Sequence, residues 1–368
     1  MMKEKRERSA LRATGEDAFF AASNSESGFH SYYEECFGRA DINRVYVIKG
    51  GPGTGKSHFM RTVSQCGVAN GWRCRMIYCS SDADSLDGVI LSRGGESVAL
   101  LDGTSPHVYE PRLPGVREDW INLGAFWDHD RLQGRREEIE ACNRIKGEGY
   151  RRAYRYLSAY GSVQQCYRER VLPYLKRERM RKYAQRLLSL IPSGEKFQCE
   201  TALIRSVGMK GTVGFDTYLS QASRIYLIRD CRGCGAELLG ELYRLCEEKR
   251  LHVRVSRDPI TPDLLDGILL RESGVAFVMA REEECVYPYQ RICVRRFLDA
   301  SALRNLRETL NHDERMCRAL LGGVTEEMAT VREAHFRLEA IYAEAMDFEK
   351  KERFTNSFCN QLFHLQNP

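Results

Sequence analysis

A glycine-rich segment at residues 50–57, with an altered copy 180 residues further on, constrains the fold of this 368-residue chain more than any other feature. The first copy reads Gly-Gly-Pro-Gly-Thr-Gly-Lys-Ser and matches the pattern G-x-x-x-x-G-K-S/T at every required position. The apolar, β-branched run 44–48 before it predicts a buried parallel strand, and residues 58–63 after it predict a helix. The chain must therefore turn sharply between strand and helix, with backbone N–H groups and a helix N-terminus directed at one point.

The residue types of this loop predict that it binds phosphate. Glycines let the backbone N–H groups curl toward a phosphate, and the helix N-terminus adds a partial positive charge. Lys56 is expected to reach the β- and γ-phosphates of a nucleotide, and the Ser57 hydroxyl is expected to ligate magnesium. We expect ATP and Mg²⁺ as ligands. The predicted nucleotide-binding residues are Gly50, Gly51, Pro52, Gly53, Thr54, Gly55, Lys56 and Ser57.

The chain contains a tandem duplication. Setting residues 44–48 over residues 224–228 aligns the two halves with few gaps. Each half ends in a long helical stretch, and the period is far longer than a stacked solenoid repeat. The prediction is an α/β protein built from two P-loop NTPase-like units, with mostly parallel sheets flanked by helices and a long helical arm after each. Further matched segments are 28–33 with 214–219, 85–91 with 264–270, and 126–128 with 297–299.

The repeat divides the chain into five predicted segments. No run reaches the roughly 18 apolar residues of a membrane span, and the charged first residues lack the apolar stretch of a secretory signal. We therefore expect a cytoplasmic protein whose 14 cysteines are free thiols. The segments are an N-terminal tail (1–17), an active P-loop domain (18–128), a basic helical arm (129–196), a degenerate P-loop domain (197–299) and a C-terminal helical arm (300–368).

The second copy of the loop has lost its chemistry. The first glycine, the lysine and the serine of the first loop are replaced by Asp230, Ala236 and Glu237. Two carboxylates would face a polyphosphate without a lysine to offset them, at a cost of several kcal/mol. The second unit is therefore predicted not to bind a nucleoside triphosphate. The intervening Cys231 and Cys234 form a C-x-x-C pair, which either supports redox or metal chemistry or simply fills a degenerate loop.

An acidic residue ends a nearby predicted strand. Residues 97–102 are apolar apart from the first and last, and they end in Asp102, the form of a magnesium-binding Walker B strand. The matching strand 275–279 has no carboxylate. Lys56 and Asp102 are the predicted catalytic residues, and Ser57 and Asp102 are the predicted magnesium ligands. An ordinary turn is the alternative, because Asp-Gly is a common turn dipeptide.

Weaker candidates follow this strand. Thr104 and His107 lie in a polar segment at the carboxyl end of the strand, where ligands bind in open α/β sheets. They are expected either to face the γ-phosphate or an acceptor, or to belong to a solvated loop. Asn122 is a candidate sensor of the γ-phosphate.

Three carboxylates follow the predicted strand 75–79. Asp84 and Asp87 have counterparts in the degenerate unit, so we expect them to cap and open a helix rather than to act in chemistry. Asp82 is replaced by Thr261 and is a candidate for polarising an attacking group.

Several of these runs together resemble a bacterial family of tandem P-loop ATPases. The runs are 49–57, 79–89, 101–107 and 121–128, and the similarity covers nearly the whole chain. The resemblance implies a cytoplasmic protein that binds ATP, with hydrolysis as a further expectation. In such proteins both loops often look able to bind nucleotide, and this chain departs from that pattern at its second loop.

The positive charge is concentrated in the first helical arm. Residues 129–196 hold 17 Lys and Arg against 8 Asp and Glu, whereas the whole chain has a net charge of only +5. Arginines alternate with tyrosines there, a composition that suits nucleic acid through phosphate neutralisation and base stacking. The alternatives are that the two arms pack on each other, or that the first arm meets a protein or a membrane surface.

The sequence favours a slow, magnesium-dependent ATPase in the first unit, with the second unit as a structural or regulatory partner. No glutamate directly follows Asp102, which weakens the case for a fast ATPase. A small-molecule or nucleotide kinase that uses the same loop is the second reading, and a non-hydrolysing, ATP-dependent binding switch is the third.

Overall fold

The computed structural model describes residues 17–107, 109–280 and 285–363. Most of the predicted tail and the end of the predicted C-terminal arm lie outside these residues. The described chain forms two six-stranded sheets, helices on their faces and two pairs of arm helices. The prediction of an α/β chain with two mostly parallel sheets and long helical arms is confirmed.

Five of the six strands in the first sheet are parallel. Its order is β1-β5-β6-β7-β4-β8, and β6 is the antiparallel member. β2 and β3 form a separate antiparallel hairpin. The strands are β1 (Asp17–Phe20), β2 (Ala22–Ser25), β3 (Gly28–Ser31), β4 (Arg44–Lys49), β5 (Arg73–Tyr78), β6 (Leu86–Arg93), β7 (Glu96–Asp102) and β8 (Glu118–Asn122).

The second sheet repeats this order strand for strand. It runs β9-β13-β14-β15-β12-β16, again with one antiparallel member, β14, and a separate hairpin of β10 and β11. The strands are β9 (Gln198–Thr201), β10 (Arg205–Gly208), β11 (Gly211–Gly214), β12 (Arg224–Arg229), β13 (His252–Arg257), β14 (Leu265–Leu270), β15 (Val275–Ala280) and β16 (Gln290–Cys293).

The helices follow the same duplication. We call α4 and α5 the first arm, and α8 and α9 the second arm. In the described residues, no helix is long and apolar enough to cross a membrane. The helices are α1 (Tyr33–Phe37), α2 (Lys56–Ala69), α3 (His129–Gln133), α4 (Arg136–Val171), α5 (Arg177–Leu188), α6 (Thr217–Ser220), α7 (Gly235–Glu248), α8 (Arg307–Glu344) and α9 (Phe348–Leu362).

The expected helix after Asp84 is wrong. The chain turns after β5, where the Ser85 hydroxyl donates to Asp82 Oδ2 at 2.9 Å, and then enters strand β6. Asp87 is the second residue of this strand and is buried. Asp and Gly are depleted in strands, so the Asp87-Gly88 pair did not indicate a strand, although the remaining residues of β6 are mostly apolar.

Each arm ends on the opposite unit. α4 and α8 lie along each other, α5 packs on α7 of the second unit, and α9 packs on α2 of the first unit. The two units therefore exchange their terminal helices. The alternative in which the arms pack on each other describes α4 and α8, and the exchange of α5 and α9 goes beyond it.

Aromatic side chains fix α9 on the first unit. The ring of Phe59 in α2 lies 6.1 Å from that of Phe354 and 5.4 Å from that of Phe358. Phe358 also meets Tyr46 of β4, with ring centroids 5.0 Å apart. Burying a phenylalanine side chain stabilises a fold by about 1.5–3 kcal/mol, so α9 contributes to the stability of a unit to which it does not belong in sequence.

The same arrangement holds α5 on the second unit. Met180, Ala184 and Leu188 recur at a spacing of four residues, so that they form one apolar stripe along the helix. All three are buried in a cluster with Leu238 and Leu242 of α7.

A cluster of charges joins the two sheets. The Glu200 carboxylate accepts hydrogen bonds from Arg254 Nε at 2.9 Å and Arg39 Nη1 at 2.8 Å, and it also pairs with Arg75. Asp17 receives Arg75 Nε at 3.0 Å and lies 3.5 Å from Arg254 Nη1. Residues of the first unit thus form ion pairs with residues of the second. Burial disfavours the charged carboxylate, but Arg75 and Arg254 outweigh it and lower the pKa of Glu200 to about 2.

Replacing Glu200 with glutamine is expected to destabilise the protein at neutral pH and not at pH 2. Because its pKa in the folded chain is about 2, against an ordinary value of 4.5 for a glutamate, the stabilisation is complete above about pH 4.5 and is lost as the pH falls toward 2. Its size is on the order of 3 kcal/mol. Urea unfolding at several pH values measures the difference between the variant and the wild type, with the exposed Glu349→Gln as control. A difference that stays constant from pH 7 to pH 2 would contradict this account.

Candidate functional site

The glycine-rich loop connects β4 to α2, as its sequence predicts. Gly53 and Gly55 have φ values of 71° and 76°, in the left-handed region that side chains disfavour. Gly53 has a second requirement, because a Cβ there would overlap the carbonyl oxygen of Glu339 in α8. The loop is therefore both tightly turned and covered by the second arm.

Lys56 folds back across this loop. Its Nζ donates to the carbonyl oxygens of Gly50 and Gly51, at 2.9 Å each, and lies 3.5 Å from Asp102 Oδ2. The side chain is only 12% exposed. An ammonium group held by neutral carbonyls next to a single carboxylate can exchange these partners for an anion that enters the loop.

Asp102 and Ser57 lie on the same side of the loop. Asp102 is the last residue of β7 and stands opposite Ile48 of β4 in the parallel register, so both strands end at one edge of the sheet. Its Oδ1 accepts the Thr104 amide at 2.8 Å. The Ser57 hydroxyl accepts the Leu86 amide at 3.0 Å. A carboxylate and a hydroxyl beside one cavity are oxygen ligands of the kind that Mg²⁺ takes.

The loop, Ser57 and Asp102 open into a cavity of about 1010 Å³. Its walls come from the first sheet and first hairpin, from α4 of the first arm, from α8 and the start of α9 in the second arm, and from Met209 in the turn of the second hairpin. Tyr342 of α8 packs on the loop, with its ring 3.1 Å from the position of a Cβ at Gly51. The site is thus completed by residues of both units. The charged, hydroxyl and amide side chains at this cavity include Asn24, Lys56, Asp82, Asp87, Asp102, Thr104, Asn143, Lys146, Tyr150, Tyr154, His335 and Glu339.

Glu339 of α8 brings a carboxylate to the glycine-rich loop. A hydrogen bond from His335, whose Nε2 lies 3.5 Å away, lowers the pKa of Glu339, and Lys56 and the Gly53 amide act in the same direction. The carboxylate is therefore ionised near neutral pH and stands close to where a bound anion would lie. An anion in the loop must compete with it or displace it.

A second group of potential metal ligands lies deeper in the cavity. One ligand atom each from Cys79, Asp87 and His107 fall within 4.8 Å of one another. His107 Nε2 lies 3.4 Å from Asp87 Oδ2, and its ring stacks on Tyr33 at 4.8 Å. Burial raises the pKa values of Asp87 and Cys79. Burial thus disfavours the thiolate form of Cys79, which is the form that binds a metal. The group is therefore better described as a buried His–Asp pair beside a cysteine.

The loop of the second unit carries its own anion. Asp230 replaces the first glycine, and its carboxylate accepts the amides of Gly233 at 2.9 Å and Gly235 at 2.6 Å. Glu237, which replaces the serine, is bound by Arg168 Nη2 of α4 at 2.6 Å. An internal carboxylate thus occupies amides of this loop, and an arginine neutralises the second carboxylate. This geometry gives a physical reason for the expected loss of nucleotide binding.

The remaining sequence candidates have other roles. The Asn122 side chain accepts the Gly124 amide at 3.0 Å and does not line the cavity. Thr104 donates to the Gly50 carbonyl at 2.8 Å and so braces the loop. Burial raises the pKa of Cys234 to about 12 and also raises that of Cys231, which favours a filling role for this pair. The counterparts of Thr104 and His107 fall largely within residues 281–284, outside the described residues.

Sequence reasoning missed the residues that the arms supply. Lys146, Tyr150 and Tyr154 of α4 and Glu339 of α8 reach the cavity, although the last is 283 positions from Lys56. The Tyr150 hydroxyl bonds Ser81 at 2.9 Å, so at least part of the tyrosine pattern serves packing. A signal was present, because the match of residues 126–128 with 297–299 fixes how the two arms align.

Comparisons with known proteins add no relative: no family model, no curated protein and no solved structure matches this chain.

Proposed function

We propose that the first unit binds ATP with Mg²⁺ at the loop of residues 50–57 and slowly hydrolyses it, in the manner of a tandem P-loop ATPase. The observation that carries this proposal is the contrast between the two loops of one chain. The first has a lysine, a hydroxyl and a strand-end carboxylate beside a large cavity. The second has an internal carboxylate on its amides and an ion pair at its helix start.

Each residue of the first loop has a role in this proposal. Lys56 would leave the Gly50 and Gly51 carbonyls for the phosphate oxygens and stabilise the charge that develops on the transferred group. Ser57 and Asp102 would hold the magnesium ion, which neutralises phosphate charge when it is bound. The loop amides would orient the polyphosphate. The second unit would act as a structural partner that supplies Glu339 and Tyr342 to the cavity wall.

Transfer of the γ-phosphoryl group to a small molecule is the second candidate. The observation in its favour is the far side of the cavity, where Asn24, Tyr150, Tyr154 and Met209 leave room beyond the loop. Asp82 lines this part and is buried, which suits a group that polarises an acceptor hydroxyl. Binding of nucleic acid by the first arm has no such support, because Tyr150, Tyr154 and Tyr167 bond Ser81, Asn24 and Glu314.

The proposal predicts that a non-hydrolysable ATP analogue with Mg²⁺ stabilises the protein. At 100 times the dissociation constant, the gain is about 2.7 kcal/mol of unfolding free energy. Thermal unfolding at increasing analogue concentration measures it, with AMP at equal ionic strength as control. Asp102→Asn should remove the magnesium dependence of this gain. The absence of any shift at millimolar analogue would overturn the proposal.

Labelled ATP separates the alternatives. Release of phosphate by the protein alone supports the ATPase, and transfer of label to an added nucleoside or other small hydroxyl compound supports the kinase. Stabilisation without turnover supports a binding switch. Stimulation by DNA or RNA would give the first arm a nucleic-acid role.

A further inference from the structure

Lys146 is a second cation beside the phosphate loop. It lies in the first third of α4 and lines the same cavity as Lys56. Burial lowers its pKa, and the charge of Lys56 lowers it further, whereas Glu339 and Cys79 act in the opposite direction. In the described chain, no carboxylate forms an ion pair with Lys146. The fold therefore directs two ammonium groups into one partly desolvated space.

An alignment of the two arms identifies the residue of the second arm that is equivalent to Lys146. The match of 126–128 with 297–299 aligns the two arms with a shift of 171 residues. Arg168 and Glu339 are equivalent under this shift, and each contacts the glycine-rich loop of the opposite unit, at Gly233 and Gly53. The alignment therefore holds in three dimensions.

The same shift sets Lys146 over Cys317. Cys317 lines a cavity of about 370 Å³ together with Asp230 and Gly233 of the second loop. Its place beside that loop corresponds to the place of Lys146 beside the first loop. The unit that has lost the loop lysine, the serine and the strand-end aspartate has thus also lost this lysine.

Two ammonium groups in a low-dielectric cavity repel each other, and the Glu339 carboxylate offsets this repulsion only in part, because Lys56 acts on Lys146 more strongly than Glu339 does. An anion that enters between the two lysines is therefore favoured. The anion must be near the part of the loop that Lys56 reaches, which in a P-loop is the end of the β- and γ-phosphates. The neighbours of Lys146 agree with this position. They are Lys56, Glu339 beside Gly53, and Cys79 after β5. Lys351 of α9 lies instead against Gly55 and the start of α2, with its Nζ 3.4 Å from His58 Nδ1.

We propose that Lys146 contacts the terminal phosphate of a bound nucleoside triphosphate and makes the site selective for triphosphate over diphosphate. The inference rests on the proposed function and adds to it a residue supplied by the helical arm. In phosphoryl transfer, such a cation also stabilises the charge on the transferred group.

Calorimetric binding of a non-hydrolysable ATP analogue and of ADP, each with Mg²⁺, tests the inference. Lys146→Met should weaken binding of the ATP analogue on the order of tenfold or more, the loss expected for one charge-assisted hydrogen bond. Binding of ADP should stay within about twofold, because no terminal phosphate is present. Lys146→Arg should retain most of the selectivity. Arg144→Met, an exposed position on the same helix, is the matched control and should bind both nucleotides as the wild type does.

The stability of the nucleotide-free protein provides an independent reading. Because Lys146 faces Lys56, Lys146→Met should unfold at a temperature equal to or higher than the wild type. A lower unfolding temperature, or an unchanged ratio of ATP to ADP affinity in Lys146→Met, overturns the role of Lys146 and leaves the proposed function standing. A wild-type protein that binds neither nucleotide overturns both.

Discussion

Replacing Lys56 with alanine is expected to reduce affinity for ATP by roughly 100-fold or more, because several charge-assisted hydrogen bonds to phosphate are lost together. The nucleotide-free protein should also lose stability, on the order of 1–3 kcal/mol, because two carbonyl oxygens and Asp102 at 3.5 Å lose their ammonium partner, so the affinity is measured at a temperature where the variant is folded. Calorimetry with a non-hydrolysable ATP analogue measures the affinity.

The control for Lys56→Ala is Arg61→Ala on the same helix. Arg61 donates to the Asp84 carbonyl and does not line the cavity. The Arg61→Ala variant should bind the analogue as tightly as the wild type. Wild-type affinity in Lys56→Ala, or nucleotide density beside Ala236 in a co-crystal, would contradict the assignment of the first loop.

Replacing Arg205 with methionine is expected to lower the free energy of unfolding by about 3–5 kcal/mol, the cost of leaving one partner of a buried ion pair behind. Arg205 and Asp266 are 1% and 0% exposed, and Arg205 also donates to the Met279 carbonyl at 3.1 Å. Without the guanidinium, the Asp266 carboxylate would lose the positive charge of Arg205 in the core of the second unit.

Removing both charges should restore most of this loss. Arg205→Met combined with Asp266→Leu replaces the pair by apolar side chains, which is often neutral for stability. Urea unfolding of the wild type and the two variants measures the free energies. A double variant no more stable than Arg205→Met, or a loss of less than about 1 kcal/mol in that single variant, would show that the pair does not support the core.

The two units provide different partners for two equivalent buried aspartates. Asp87 of the first unit corresponds to Asp266, but Ala22 begins the first hairpin where Arg205 begins the second, and His107 supplies the nearby nitrogen instead. His107 is thus explained by the fold as well as by its position at the cavity. The register of the hairpins sets Gly28 over Gly211, so the sequence match of 28–33 with 214–219 is displaced by three residues at the hairpin.

The local parts of the site could be predicted from the sequence. The strand, the loop and helix α2 follow from short-range patterns, and Asp102 follows from an apolar run that ends in a carboxylate. From the charges alone one can predict that the second loop does not bind a triphosphate. The sequence does not predict that the Asp230 carboxylate accepts hydrogen bonds from the amides of this loop. That contact depends on a backbone turn whose geometry the sequence pattern does not specify.

The parts contributed by the arms could not be predicted locally. Amphipathic spacing in α5 and α9 indicates that an apolar face is buried, but not which unit covers it. Glu339 and Lys146 become candidates only when α4 and α8 are placed along each other. The prediction of a helix at Asp87 was wrong for a related reason. Strand β6 is stabilised by pairing with its neighbours β5 and β7, and not by the strand preferences of its own first residues.

The exchange of α9 has a consequence for biosynthesis. When the first unit emerges from the ribosome, α2 has been synthesised, but the phenylalanines that cover Phe59 are encoded almost 300 codons later. The nascent polypeptide must therefore carry an uncovered aromatic surface while the second sheet is translated, although domains often fold as they emerge. The cavity beside residues 50–57 can be completed only after α8 and Phe348 of α9 have been made, so a product that stops before α8 would lack both α9 and the α8 wall of this cavity.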